Sequence, residues 1–95
     1  NGNFVTKWGS FGTGDGQLYY PQGIATDGGG CVFVSDAVNR RIQKFDSNGN
    51  FLTKWGSQGS GNGQFSLPYG IAVDRSGYVY VVDYSYNRIQ KFGRE

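Results

Sequence analysis

The sequence predicts an all-β fold, and three observations lead to this prediction. The chain has 17 glycines, 7 tyrosines, 7 phenylalanines and 2 tryptophans in 95 residues, a composition typical of short strands joined by tight turns. It repeats itself, and it contains no stretch with the apolar spacing of an amphipathic helix. A chain of this length forms one small domain at most.

The repeat has a period of about 47 residues, and about 27 of 48 aligned positions are identical when the first half is laid on the second. The longest identical blocks are Thr6–Ser10 with Thr53–Ser57, and Arg41–Phe45 with Arg88–Phe92. Chance does not produce identity of this extent. The two halves therefore form the same supersecondary unit.

Within the first repeat, turn residues separate four apolar segments that we expect to be strands. Phe4–Trp8 alternates apolar and polar residues, and Gly23–Thr26 is a second strand of small residues. A hairpin turn at Asp27–Gly30 follows, because Asp bonds nearby backbone N–H groups and Gly allows positive φ. Cys31–Val34 is the third strand and Arg41–Phe45 is the fourth.

Four short strands in a repeat of about 45 residues are typical of a β-propeller blade. The small residues of Gly23–Thr26 suit the innermost strand, where blades crowd around a central channel. Phe4–Trp8 suits the outermost strand, because Lys7 on an exposed edge opposes further pairing. The sequence therefore predicts two four-stranded propeller blades.

The motifs resemble the NHL-repeat family of β-propellers. They occur at Pro21–Ala25, Val32–Asp36, Asn39–Phe45 and Gly49–Gly56, and the set recurs between Pro68 and Phe92. The resemblance covers essentially the whole chain. It implies a six-bladed ring and a face of loops that binds proteins or single-stranded RNA.

One position departs from the family's pattern. The first repeat has Asn39 three residues after Asp36, as the family usually has, whereas the second repeat has Tyr86 three residues after Asp83. We therefore expect the loop after Asp83 to differ in shape from its counterpart. A function carried by one of these loops need not be shared by the other.

Two blades cannot close a ring, since propellers use about 4–8 of them. We read residues 1–95 as one two-blade unit: repeat 1–47 begins with the outer strand of a neighbouring blade, and repeat 48–95 ends after its third strand. Copies are expected to complete one another head to tail. The pairing residues would be Phe4, Val5, Thr6, Lys7 and Trp8 of one copy with Arg88, Ile89, Gln90, Lys91 and Phe92 of the next.

A dimer, trimer or tetramer of such chains would give four, six or eight blades. Residue patterns do not distinguish the trimer from the tetramer. The six blades implied by the family resemblance favour a homotrimer. The alternative is a longer chain that closes alone. The near-identical repeats and the start inside a turn suggest an excised or engineered unit, which we would still expect to oligomerise.

The chain contains no histidine, which excludes Ser-His-Asp triads, Cys-His pairs and His-ligated zinc. Some NHL-like propellers are enzymes, including a lyase that uses a metal, but the ligands for that metal are missing here. A hydrolase or lyase is the least favoured function, and no cofactor or metal is expected. The glycine-rich segment Gly9–Gln17 lacks the lysine and the following helix of a phosphate loop, so it reads as a flexible connector.

Other polar residues are assigned structural roles. Asp27, Asp36, Asp74 and Asp83 end strands, where we expect them to accept backbone N–H bonds. Arg41 and Arg88 are expected to pair with acids, within or between blades. Cys31, which is Tyr78 in the second repeat, is expected to be a small buried apolar residue.

The remaining candidate is a binding face, formed by the loops that join outer to inner strands and second to third strands. Tyrosine and arginine are favoured at interfaces, and the repeats differ at these loop positions. The candidate residues are Tyr19, Tyr20, Gln22, Arg40, Tyr69, Tyr84 and Tyr86. The sequence thus predicts a non-enzymatic self-assembling scaffold with a face for a protein or peptide, and a single-stranded RNA-binding module is the alternative.

Charge and hydropathy do not narrow the partner further. The net charge is only +2 and the basic residues are dispersed, unlike the basic stripe of many nucleic-acid-binding domains. No apolar segment reaches the roughly 18 residues that a membrane span needs, and no signal segment opens the chain. One cysteine is compatible with the cytoplasm, but the localisation stays unassigned.

Overall fold

A computed structural model describes residues 2–93 of the chain. Asn1 and residues 94–95, which belong to the predicted unit, lie outside the described residues. Within residues 2–93 the fold is all-β, as predicted, with nine strands and one three-residue 3-10 turn. This part of the chain includes no helix with the length and apolarity that a bilayer crossing requires.

The first sheet is four-stranded and antiparallel, and its strands follow one another in chain order. The strands are β1 (Pro21–Thr26), β2 (Val32–Asp36), β3 (Arg41–Phe45) and β4 (Phe51–Trp55). The innermost and outermost strands are the ones that the sequence predicts for a propeller blade. β2 extends to Asp36, two residues beyond the prediction, because Ser35 and Asp36 pair with β3. Both residues are buried although they are polar.

The second sheet has three antiparallel strands, and a short parallel pair precedes it. The pair consists of β5 (Ser57–Gln58) and β6 (Gln64–Phe65), and the sheet of β7 (Pro68–Val73), β8 (Val79–Asp83) and β9 (Arg88–Phe92). Residues in the same position of the two repeats are called repeat mates below. By this correspondence β7, β8 and β9 repeat β1, β2 and β3, and the second sheet has no mate of β4 among the described residues.

Phe4–Trp8, predicted to be an outer strand, joins no sheet in the single chain. Phe4 is 76% exposed and Val5 is 87% exposed. Trp8 is partly buried and packs against Phe45, with 5.9 Å between the ring centroids. The segment is thus anchored at its last residue, while its first two large side chains have little cover.

The main core lies between the two sheets. Phe33 and Ile42 of the first sheet pack with Val79 and Val81 of the second sheet and with Phe65 of β6. Because side chains alternate along a strand, the residues on either side of Phe33 face away from this core. They form a second cluster on the opposite face of the first sheet, which contains Val32, Val34, Phe45, Trp8, Leu18 and Phe51.

The hairpin turns are built as predicted. Oδ1 of Asp27 accepts the backbone N–H groups of Gly29 and Cys31, each at 2.9 Å, and Asp74 caps the matching turn in the second repeat in the same way. Cys31 is only partly buried at the edge of the main core. The prediction that Cys31 is buried is therefore correct in part. The strand that it was expected to begin starts one residue later, at Val32.

Candidate interaction surfaces

Asp36, at the end of β2, is fully buried and holds the connector to the first sheet. Its Oδ1 accepts the backbone N–H of Tyr19 at 2.7 Å. Its Oδ2 accepts hydrogen bonds from Arg41 Nε at 2.9 Å, Asn39 Nδ2 at 3.0 Å and Gln43 Nε2 at 3.2 Å. The predicted backbone bond and arginine pair are both confirmed, but the N–H donor comes from the preceding connector and not from the adjacent turn.

Arg41 and Gln43 also hold the connector directly. The Arg41 guanidinium donates to the carbonyl groups of Gly14 and Gln17, each at 2.8 Å, and Gln43 Nε2 donates to the same Gln17 carbonyl at 2.6 Å. Buried side chains therefore hold the connector between Thr13 and Gln17, a role that the prediction of a flexible connector leaves out. Sequence reasoning missed Gln43, since its role depends on a contact between distant segments.

The second repeat builds a similar network around Asp83, which is also fully buried. Its carboxylate accepts the backbone N–H groups of Ser66 and Leu67 at 3.0 and 3.1 Å and a bond from Arg88 Nε at 3.1 Å. The Arg88 side chain is 29% exposed, compared with 8% for Arg41. The four acids singled out by sequence are thus used to hold turns and connectors.

The loops after Asp36 and Asp83 differ in backbone structure, as expected, although they share one turn bond. Tyr84–Tyr86 is a 3-10 turn, whereas residues 37–40 form an ordinary turn. The backbone bond to the preceding connector is made by Val38 N–H to Tyr19 O in the first repeat and by Tyr84 N–H to Leu67 O in the second. The N–H of Arg40 donates to Ala37 O at 3.1 Å, and its repeat mate Asn87 donates to Tyr84 O at 3.3 Å. The side chains differ as well: Asn39 Nδ2 bonds both the buried carboxylate and a connector carbonyl, whereas its mate, Tyr86, lies beside the Arg88 guanidinium at 5.3 Å.

Three residues other than glycine have left-handed backbone within residues 2–93. They are Tyr20 with φ 62°, Arg40 with φ 56° and Asn87 with φ 53°. Asparagine tolerates this conformation, but tyrosine and arginine adopt it at a cost of about 1–3 kcal/mol. Two of the predicted binding residues, Tyr20 and Arg40, are therefore held in strained backbone.

The structure brings two of the predicted face residues into contact and ties a third to a neighbouring segment. The rings of Tyr69 and Tyr84 stack at 5.0 Å with an angle of 17°, and Arg40 Nε donates to the Ser66 carbonyl at 2.8 Å, which ties the first sheet's loop to the second connector. Tyr20, Tyr84 and Tyr86 are exposed. These side chains surround the loops that join strands at one end of the two sheets.

Phe11 belongs with this group, although sequence reasoning missed it. Its ring meets Tyr19 edge to face at 4.7 Å, and it is exposed. The sequence did offer a signal, because Phe11 is a large aromatic residue inside a glycine-rich connector. The repeat mate of Phe11 is Gln58. Gln22 lies elsewhere, in a groove of about 390 Å³ on the outer face of the first sheet.

The groove lies on one of two sheet faces that no second sheet covers in the single chain. It is lined by Trp8, Leu18, Ile24 and Val34 among others, and Ile24 is 66% exposed. On the far face of the second sheet, Val82 and Ile89 are exposed as well. The corresponding positions inside the chain are covered, since Ile42 and Ile71 pack in or against the main core.

The outer edge of β9 is also without a neighbouring strand among the described residues. β3 has the same five-residue sequence, and its outer edge pairs with β4 through Ile42 opposite Trp55 and Lys44 opposite Thr53. An edge strand of this kind offers a row of unpaired backbone N–H and C=O groups. The single chain thus presents an unfinished sheet, two uncovered sheet faces and an aromatic loop face.

Comparison with known proteins agrees with this architecture. A 40-residue stretch is 48% identical to the B-box type zinc finger protein ncl-1 of Caenorhabditis elegans, a match that covers 42% of this chain and 5% of that protein. The chain therefore spans only a small part of that relative's length. A family model described as a 6-bladed beta-propeller matches residues 13–95, so the chain belongs to the 6-bladed β-propeller family.

Proposed function

We propose that this chain is a non-enzymatic interaction module that closes a six-bladed ring with copies of itself, three chains to a ring. The observation that carries the proposal is the uncovered edge of β9. Its sequence, Arg88–Phe92, is identical to that of β3, whose edge is covered by β4. Phe4–Trp8 differs from β4 at one residue and joins no sheet in the single chain.

The register of this exchange follows from the pairing inside the chain. Lys44 lies opposite Thr53 and Ile42 opposite Trp55. The same register would put Lys91 opposite Thr6 of a second copy and Ile89 opposite that copy's Trp8. Backbone groups of β9 would then be paired along its length, which removes an edge that otherwise invites irregular association.

The exchange would also bring the two uncovered sheet faces together. Ile89 and Val82 of one copy would meet the groove around Ile24 and Val34 of the next, as Ile42 meets Val81 inside the chain. Burial of apolar side chains drives such contacts at roughly 25 cal/mol per Å². With two blades per chain, the family's six blades require three copies, related head to tail and closed by rotation.

We also assign the repeats to the NHL type, on the motif set that both halves share. If these residues lie within a longer chain, the same edge and faces would join consecutive blades of that chain. The proposed contacts are the same in either case. The two cases differ only in whether the strand that covers β9 belongs to the same polypeptide or to a second copy.

An intermolecular disulfide tests the proposed register. We expect Thr6→Cys with Lys91→Cys, in a Cys31→Ser background, to give covalent dimers and trimers on a non-reducing gel, because residues opposite each other across strands have Cβ atoms about 4.5–5.5 Å apart. The matched control is Thr6→Cys with Ile89→Cys, which is two residues out of register and about 7–8 Å away. Equal cross-linking of both pairs, or of neither, would contradict the register.

The loop face is the proposed site for a protein or peptide partner. Tyrosine and arginine supply much of the binding energy at interfaces, and exposed Tyr20, Tyr84 and Tyr86 lie on these loops. Strained backbone at Tyr20 and Arg40 is the kind of feature that clusters at functional sites. A costly backbone conformation at exposed Tyr20 and half-buried Arg40 is easier to understand if these residues contribute to binding.

Single-stranded RNA is the second candidate, favoured by the exposed tyrosines, on which bases could stack. Filter binding with a single-stranded oligouridylate at about 50 and 200 mM salt separates the two candidates, because phosphate contacts make affinity fall steeply with salt. RNA binding predicts a salt-dependent affinity that Tyr84→Ala and Arg40→Asn both reduce. Absence of binding at both salt concentrations would exclude RNA and leave the protein or peptide partner.

A further inference from the structure

We infer that the cavity beside Trp55 is the seat for Phe4 and Gly2 of a second copy, an inference that rests on the ring closure proposed above. The cavity has a volume of about 420 Å³ and lies where the outer parts of the two sheets meet. Trp55, Phe33 and Phe92 provide its aromatic walls, and Gly93 lies at its edge. In the single chain the cavity is empty of protein atoms, and both apolar and polar side chains line it.

The chain contains a filled version of the same seat on the other face of the first sheet. There Trp8 is the repeat mate of Trp55, and Phe45 is the mate of Phe92. Trp8 packs on Phe45 with 5.9 Å between centroids, and Trp55 packs on Phe92 at 5.4 Å, with interplanar angles of 51° and 58°. Two aromatic walls are therefore arranged alike in the two places.

The filled seat is occupied by Phe51 and Gly49. The Phe51 ring meets Phe45 edge to face, at 6.3 Å and 78°, and belongs to the cluster around Trp8. The backbone of Gly49 lies directly against the indole, since a Cβ at this residue would stand 2.6 Å from Cδ2 of Trp8. Only glycine fits there without displacing the ring.

The repeat mates of these two occupants are Phe4 and Gly2, and both lack cover in the single chain. Phe4 is 76% exposed, and a Cβ built at Gly2 has no heavy atom within 4 Å. The backbone at Gly2 nevertheless has φ +89°, which matches +91° at Gly49. Gly2 thus already has the backbone φ of the docked glycine, without an indole beside it.

The pairing proposed for β9 would bring these residues to the cavity. Phe45 lies opposite Phe51 across β3 and β4, so Phe92 would lie opposite Phe4 of the second copy. Phe4 would then contact Phe92 and Trp55, and Gly2 would lie on the Trp55 indole. The occupant is a second copy, because the aromatic walls match those that hold Phe51 in the filled seat. Both lysines of the lining already have contacts in the chain: Lys54 pairs with Asp15 at 2.6 Å, and Lys44 lies over the Phe33 ring at 5.4 Å.

The test compares two glycine variants in the full 95-residue chain. Gly2→Val and Gly63→Val both place a β-branched residue at positive φ, +89° and +75°, where the single chain leaves open space. We expect Gly2→Val to raise the concentration for half-assembly at least tenfold, because the valine would collide with Trp55 of the neighbour. Gly63→Val should change it less than twofold, because Gly63 does not line the cavity. Its melting temperature below assembly should fall, since valine is strained at positive φ in a turn whose N–H bonds Gln90, whereas Gly2→Val should melt like wild type there.

Phe4→Ala and Val5→Ala form a second matched pair. Loss of the Phe4 ring should weaken assembly at least tenfold, whereas Val5, whose mate Leu52 stays exposed in the four-stranded sheet, should matter little. A wild-type chain that never assembles would overturn the ring closure and this seat together. A chain that assembles and cross-links between Thr6→Cys and Lys91→Cys, but in which Gly2→Val and Phe4→Ala assemble like their controls, would overturn the seat alone.

Discussion

β3 and β9 have the same sequence and different surroundings. Ile42 in β3 is fully buried, whereas Ile89 in β9 is 69% exposed. β3 lies between β2 and β4, and its apolar face is covered by the second sheet, while β9 has only β8 beside it. Identical residues thus form a core strand in one place and an edge strand in the other, so their burial is decided by neighbours and not by the residues themselves.

The arginine at the start of each strand shows the same contrast more mildly. Arg41 and Arg88 each bond a fully buried aspartate at about 3 Å, but Arg41 is the more enclosed of the two. Removing one partner of a buried pair leaves an uncompensated charge. Matched substitutions in β3 and β9 therefore measure how much the neighbouring strands contribute to the cost of losing a side chain.

The largest expected effect is the loss of the buried arginine. Arg41→Ala should lower the free energy of unfolding by about 3–5 kcal/mol, because Asp36 would stay buried without its charge partner and three connector carbonyls would each lose one hydrogen bond. Arg88→Ala should cost about 1–3 kcal/mol, since water reaches that site. Urea unfolding below the assembly concentration measures both free energies. Equal losses would mean that the surroundings of the two arginines do not differ in energetic effect.

The isoleucine pair gives the next largest effect. Ile42→Ala should cost about 2–5 kcal/mol, the usual range for truncating a core side chain. Ile89→Ala should stay within about 0.5 kcal/mol in the dilute chain, as exposed substitutions do. At concentrations where copies assemble, Ile89→Ala should in addition weaken assembly, which light scattering would detect. A large loss in the dilute chain would mean that the face around Ile89 is already covered.

A small, pH-dependent effect is expected where β3 turns into β4. The hydrogen bond from the Asn50 side chain, together with backbone N–H groups, lowers the pKa of Asp46, whose repeat mate is Gly93. Because the folded pKa is depressed, this stabilisation is present above the ordinary aspartate pKa of about 3.9 and is lost as the pH falls through the folded value. Thermal melts should therefore show a gap between wild type and Asp46→Asn near neutral pH that closes in acid.

Much of the fold could be predicted because turn residues mark the ends of the strands in both repeats. Arg41–Phe45 was delimited by turn residues and forms a strand over the same residues. The extension of β2 to Asp36 could not be predicted in this way, because a polar residue usually ends a buried strand. Here the carboxylate is buried with four hydrogen-bond donors, one of which comes from a distant connector.

The candidate site was harder to predict than the fold. Tyr20 and Arg40 were chosen because the two repeats differ there, but their strained backbone is visible only in the structure. Gln43 was missed because its partner Gln17 lies 26 residues away, and contacts over such separations depend on how the sheets are placed. Phe11 was missed because the segment Gly9–Gln17 was expected to be only a flexible connector.

The solution mass of the 95-residue chain tests the ring most directly. Light scattering over micromolar concentrations should give about three times the 10.4 kDa chain mass, because three two-blade chains supply the six blades and cover every β9 edge. A mass of a single chain throughout that range would contradict the account.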